Sequence, residues 1–126
     1  MLTIKKTKKN HKASLKVGVY DSICTSIRFH EEYADGEALK VEYILTDDNE
    51  KNFEFSEVFF NNGYNSRSAA FFDYLEENGI PLDNVENFIG CTERVTLKKL
   101  VRSNKSMLSI VAREFVAHAA GDTSDL

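Results

Sequence analysis

The chain has 126 residues, 42% apolar and 29% charged, with nine Phe, five Tyr, no Trp and one Pro, a composition that bounds it to one domain with a core of its own. No apolar run reaches the roughly 18 residues of a membrane span, and the Lys-rich start lacks the apolar stretch of a signal peptide. The net charge of −4 is uneven: residues 1–12 carry Lys5, Lys6, Lys8, Lys9 and Lys12 and no acid, a +5 arm, and the remainder sets eleven bases against twenty acids, a −9 body.

The first strand run covers 16–30. Val17, Val19, Ile23, Ile27 and Phe29 share one parity, interrupted by Asp21, with Gly18 nearby as a place for a bulge or bend. Alternation over more than ten residues predicts a long curved strand. The polar stretch from Glu31 to Glu37 holds the turn-favouring pair Asp35-Gly36. Strand two, 38–46, sets Leu39, Val41, Tyr43 and Leu45 against Lys40, Glu42, Ile44 and Thr46. A polar turn, Asp47 to Glu50, leads to strand three at 51–60. There Phe53 and Phe55 share a parity that Val58 and Phe60 do not, which predicts a bulge near Ser56-Glu57.

After the loop Asn61–Asn65 a helix is predicted over 66–78, capped by Asn65, Ser66 or Ser68, with Phe71, Phe72 and Leu75 as its apolar stripe. Gly79 suits a left-handed cap and Pro81 blocks a restart. Asp83 is placed to cap one further turn carrying Val85, Phe88 and Ile89. Strand four, 92–102, aligns Val95, Leu97 and Val101 against Arg94, Thr96, Lys98 and Arg102. Ser103-Asn104-Lys105 turns into strand five, 106–115, where Leu108, Ile110 and Ala112 lie together. The domain is bounded at 15–116, between the basic flexible arm 1–14 and a flexible tail 117–126.

This order of three strands, a helix and two strands predicts a mainly β fold, a five-stranded OB-like barrel with the helix between strands three and four. Cys24 and Cys91 form no CxxC pair and sit in apolar strand runs, so buried reduced thiols in a cytoplasmic protein are expected. His11, His30 and His118 lie far apart, the glycines are scattered, and the carboxylate pairs fall on polar stretches. Neither catalysis, a metal nor a cofactor is therefore expected.

A binding surface remains. OB barrels bind oligonucleotides on the strand-two and strand-three face, between the loops after strands one and four, through stacking aromatics and a basic groove. The candidates are Tyr20, Arg28, Tyr33, Lys40, Tyr64, Arg67, Arg94, Lys98, Arg102 and Lys105. Gly18-Val19-Tyr20, the strand Phe53–Phe60, the helix Arg67–Gly79 and Gly90-Cys91-Thr92-Glu93-Arg94-Val95 resemble small single-stranded-DNA-binding OB proteins of bacteriophages and mobile elements. The resemblance spans roughly 15–115 and implies non-catalytic binding of single-stranded DNA in replication or recombination. The acidic body carries a second reading, a small protein-binding inhibitor of the anti-CRISPR kind that mimics phosphate charge. An exposed strand edge gives a route to homo-oligomers.

Overall fold

The computed structural model describes residues 14–29, 38–60 and 66–119. Five strands form one antiparallel sheet: β1 (Gly18–Phe29), β2 (Ala38–Thr46), β3 (Asn52–Phe60), β4 (Thr92–Arg102) and β5 (Lys105–Ala117). The helix α1 (Ser66–Glu77) and a 3-10 segment (Leu82–Phe88) lie between β3 and β4. In space the strands run β3-β2-β1-β4-β5, so β1 is central and pairs with both β2 and β4. Among the described residues no backbone pairing joins β3 to β5, and the sheet is open there.

The fully buried centre comprises Tyr43, Leu45, Val41, Phe59, Leu75, Ile80, Phe88, Val95 and Leu97. Phe59 and Phe71 stack face to face at 4.0 Å, which fastens α1 to β3. Phe53, Phe55 and Phe72 pack against this core. Both cysteines are free and buried. Gly79 ends α1 at φ +82. Ile80 N–H reaches Leu75 O at 2.8 Å and Gly79 N–H reaches Glu76 O at 3.1 Å, the paired bonds of a Schellman cap. The following turn is held differently from the sequence expectation: Pro81 is its N-cap, no side chain caps it, and Asp83 stands exposed.

The strand faces differ from the sequence reading at four places. In β1 the apolar parity points outward only ahead of Thr25: Val19 and Ile23 are exposed, whereas Tyr20, Ser22 and Cys24 face the core, and beyond it Ile27 packs inward. The pairing with β2 skips Thr25, so the bulge falls there rather than beside Gly18 or Asp21. In β3 no bulge occurs; the β2 register is continuous, and the inner parity runs Phe53, Phe55, Glu57, Phe59 with Glu57 buried. In β4 the inner parity ends at Leu97, and Val101 is 73% exposed. In β5 Ala112 does not join Ile110. The register passes from Leu97↔Ile110 to Thr96↔Ala112, so Val111 is an extra residue and Arg113 takes the inward place.

Two inward carboxylates and one inward guanidinium meet as a result. Arg113 Nη1 donates to Glu93 Oε1 and Oε2 at 3.1 and 2.9 Å. Its Nη2 donates to Tyr43 Oη at 3.0 Å and also to Glu57, and Tyr43 donates to Glu57 at 2.7 Å. Burial opposes the charge on Arg113, but Tyr43, Glu57 and Glu93 outweigh it and hold the guanidinium above its ordinary range. Burial likewise pushes the Tyr43 hydroxyl well up. The rings of Phe71, Tyr43 and Tyr74 lie 4.8 to 5.7 Å from the Arg113 carbon, so the cation is enclosed by π faces as well as carboxylates. This cluster spans the open seam from β5 to β3.

Candidate nucleic-acid interface

The sequence candidates divide by their surroundings. Tyr20 is a core residue, 5% exposed; its hydroxyl donates to Lys16 O at 2.7 Å and its ring meets Phe53 edge-on at 6.1 Å. It is therefore withdrawn as an outward stacking residue. A core-facing Tyr whose phenol reaches a backbone carbonyl satisfies both its apolar body and its polar tip. Tyr33 and Tyr64 lie outside the described residues.

Several of the expected cations already have carboxylate partners. Arg28 pairs with Glu42 at 2.9 Å, and Lys40 approaches the same carboxylate at 3.8 Å. The bond from Arg28 is the main reason that the Glu42 carboxyl is held below its ordinary value. Arg94 donates to Asp21 at 2.7 Å and has Asp48 at 3.9 Å. Asp21, by that bond first, raises the Arg94 guanidinium above its usual range. Arg67 lies over Phe59 at 4.5 Å, donates to Val58 O at 3.0 Å and reaches Glu57 at 3.4 Å, so it fastens α1 to the end of β3. A shallow groove of about 580 Å³ on the outer side of β2 and β3 is lined by Glu42 and Glu54 with Thr25, Ile44 and Ser56. Glu42 and Glu54 offset Arg28 and Lys40 there, so that face has no surplus of the positive charge an oligonucleotide backbone would need.

The remaining cations stand together on a different element. Pairing of β1 with β4 ends at Gly18↔Leu97, but β4 and β5 stay paired from Lys98↔Ser109 to Arg102↔Lys105. The last five residues of β4 therefore have one neighbour strand and form, with β5, a two-stranded ribbon beyond the sheet. Its length is about 17 Å at about 3.3 Å per residue. Ser103 and Asn104, at φ 50 and 67, close it with the two left-handed residues of a type I′ turn. From 98 to 109 the chain has Lys98, Lys99, Arg102 and Lys105 and no acid. Lys98, Lys99 and Lys105 are exposed, and among the described residues none of the three forms an ion pair. Val101 and Met107 on the same ribbon are 73% and 50% exposed.

Of the candidates, then, the fold brings Lys98, Arg102 and Lys105 onto one projecting element and leaves Arg28, Lys40, Arg67 and Arg94 elsewhere. Lys99 belongs with the ribbon and was missed, because a strand parity argument sends Lys98 and Lys99 to opposite faces. On a ribbon without a covering layer, both faces are wet. Among the described residues no cluster of three or more His, Cys, Asp or Glu could hold a metal ion, and no helix is long and apolar enough to cross a membrane. Comparison with protein-family models and with curated protein sequences finds no match.

Proposed function

We propose that this chain is a non-catalytic, sequence-independent binder of single-stranded DNA, acting like the phage and mobile-element OB proteins it resembles in replication or recombination. We read the curled sheet as an OB-like barrel left open between β3 and β5. Three features support that reading: the long bulged β1 pairing on both sides, the order β3-β2-β1-β4-β5, and the helix between β3 and β4. The observation that carries the function is the cationic, acid-free ribbon of β4 and β5 with its exposed Val101 and Met107. Lysines on such an arm would neutralise phosphates and the apolar side chains would lie against bases.

The test is anisotropy of labelled oligo-dT in a salt series. Four phosphate contacts give a slope of about −2.8 in log K against log salt, hence roughly a 50-fold loss between about 50 and 200 mM. Lys98→Ala/Lys99→Ala/Lys105→Ala should flatten that slope by about 2. Absence of binding at about 50 mM salt, or an unchanged slope in the variant, would refute the proposal. One observation favours the second reading, an acidic inhibitor of a nucleic-acid-binding protein: Glu42 and Glu54 line the outer groove. In that reading oligo-dT is not bound at any salt, so the same titration separates the two.

A further inference from the structure

An apolar pocket of about 220 Å³ opens at the helical end of the molecule, lined by Phe29 of β1, Leu39 of β2, Phe72 of α1, and Leu82 and Val85 of the 3-10 segment. Phe29 is 56% and Leu82 42% exposed, an uncommon state for large apolar side chains that meet at one depression. The elements forming two of its walls are acidic. From Ser68 to Glu93 the chain has six carboxylates and no Lys or Arg. Asp73, Glu76, Glu77, Asp83 and Glu86 are exposed, and among the described residues none of these five forms an ion pair. Glu76 follows Phe72 by one helical turn and so lies on the same stripe of α1.

A segment complementary to this pocket must bring positive charge and exposed apolar side chains together, and the molecule has such a segment. The ribbon offers Lys98, Lys99 and Lys105 around Val101 and Met107. It cannot reach its own pocket: β4 begins at Thr92, just after the 3-10 segment, and runs 11 residues to the ribbon tip. That is about 35 Å of strand between the two at about 3.3 Å per residue. The contact is therefore between copies. We propose that this chain self-associates head to tail, the ribbon of one copy seated in the acidic-rimmed apolar pocket of the next. Two unlike surfaces make a heterologous contact, which leaves a free ribbon and a free pocket at the ends and grows into rings or filaments.

The experiment uses full-length protein stripped of nucleic acid, so its result is independent of oligo-dT binding. Sedimentation is followed at roughly 0.01 M salt, where charges act over about 30 Å, and at roughly 1 M, where they act over about 3 Å. The mass should rise with concentration above the 14.3 kDa of one chain in low salt and return to it in high salt. Lys98→Ser/Val101→Ser/Lys105→Ser removes the ribbon contact and Leu82→Ser/Asp83→Ser/Glu86→Ser removes the pocket contact. Each alone, with an unchanged circular dichroism spectrum, should stay at one chain. Their equimolar mixture keeps one good ribbon and one good pocket and should stop at two chains. Three results overturn the proposal: a wild-type monomer up to roughly 1 mM, a ribbon variant that assembles as the wild type does, or a mixture that gives no dimer. Assembly by the ribbon variant would assign the pocket to the lysines of residues 1–12 or to another face.

Discussion

Replacing Arg113 by methionine removes one guanidinium from between two carboxylates whose side chains are 4% and 1% exposed. Glu57 is not stranded by the change, because Arg67 stays at 3.4 Å and the Tyr43 hydroxyl still donates to it. Glu93 loses both of the bonds it accepts from Arg113 and becomes a buried charge without a cation. The expected cost is that of breaking one buried pair, about 3–5 kcal/mol, against a total stability of roughly 5–15 kcal/mol for a small domain. With an m-value of about 1.5 kcal/mol/M the urea midpoint falls by about 2–3 M. Circular dichroism or Tyr fluorescence reads the transition, since the chain has no Trp. Arg113→Met/Glu93→Gln removes the stranded charge along with its partner and should recover most of the loss. A single variant within about 1 kcal/mol of wild type, or a double variant no better than the single, would refute this account of what bridges β3 and β5.

Two further outcomes test the interior. Burial, the largest influence, pushes the Cys24 thiol from 9.0 up to about 12, so at pH 8 its alkylation should run roughly a thousandfold slower in native protein than in urea; equal rates would show the thiol to be open. The raised value means that its contribution to stability is complete below about pH 9 and is lost as pH climbs towards 12. Gly90 stands at φ +90, and a Cβ there would lie 2.9 Å from the Ala119 Cβ. Gly90→Ala should therefore cost about 2 kcal/mol and lower Tm by roughly 6–10 °C, and calorimetry showing no shift would contradict the close approach of Ala119.

Element order was legible in the sequence because turn residues and a capped helix punctuate it, and Asp47, Gly79 and Ser103-Asn104 all fall at observed turns. Facing was legible in β2, where Leu39, Val41, Tyr43 and Leu45 are all buried. It failed in β1 because the bulge at Thr25 reverses the parity: Tyr20, Ser22 and Cys24 face inward before it and Ile27 after it, so no single alternation describes the strand. The Arg113 cluster left a trace that went unread. Glu57 shares a parity with Phe53, Phe55 and Phe59, and Glu93 with Cys91, Val95 and Leu97. A carboxylate in step with core residues on two strands calls for a cation inside. The cation itself was hidden, since the skipped Val111 puts Arg113 out of step with Ile110. Which lysines stay free of carboxylates depends on pairings between distant strands, such as Arg94 with Asp21, and no local pattern carries that.

That skipped residue makes β5 a counting device. Before it, even-numbered side chains look inward; after it, Arg113 and Phe115 do. Pairing the strand straight through, with Val111 opposite Thr96, would turn Ala112 and Glu114 to the interior and put the guanidinium in water with every side-chain identity unchanged, whereas deleting Val111 would leave Arg113 opposite Val95 and facing inward. The buried ion cluster is thus specified by register as much as by chemistry, and the same arithmetic does not bind the ribbon, where both faces meet solvent.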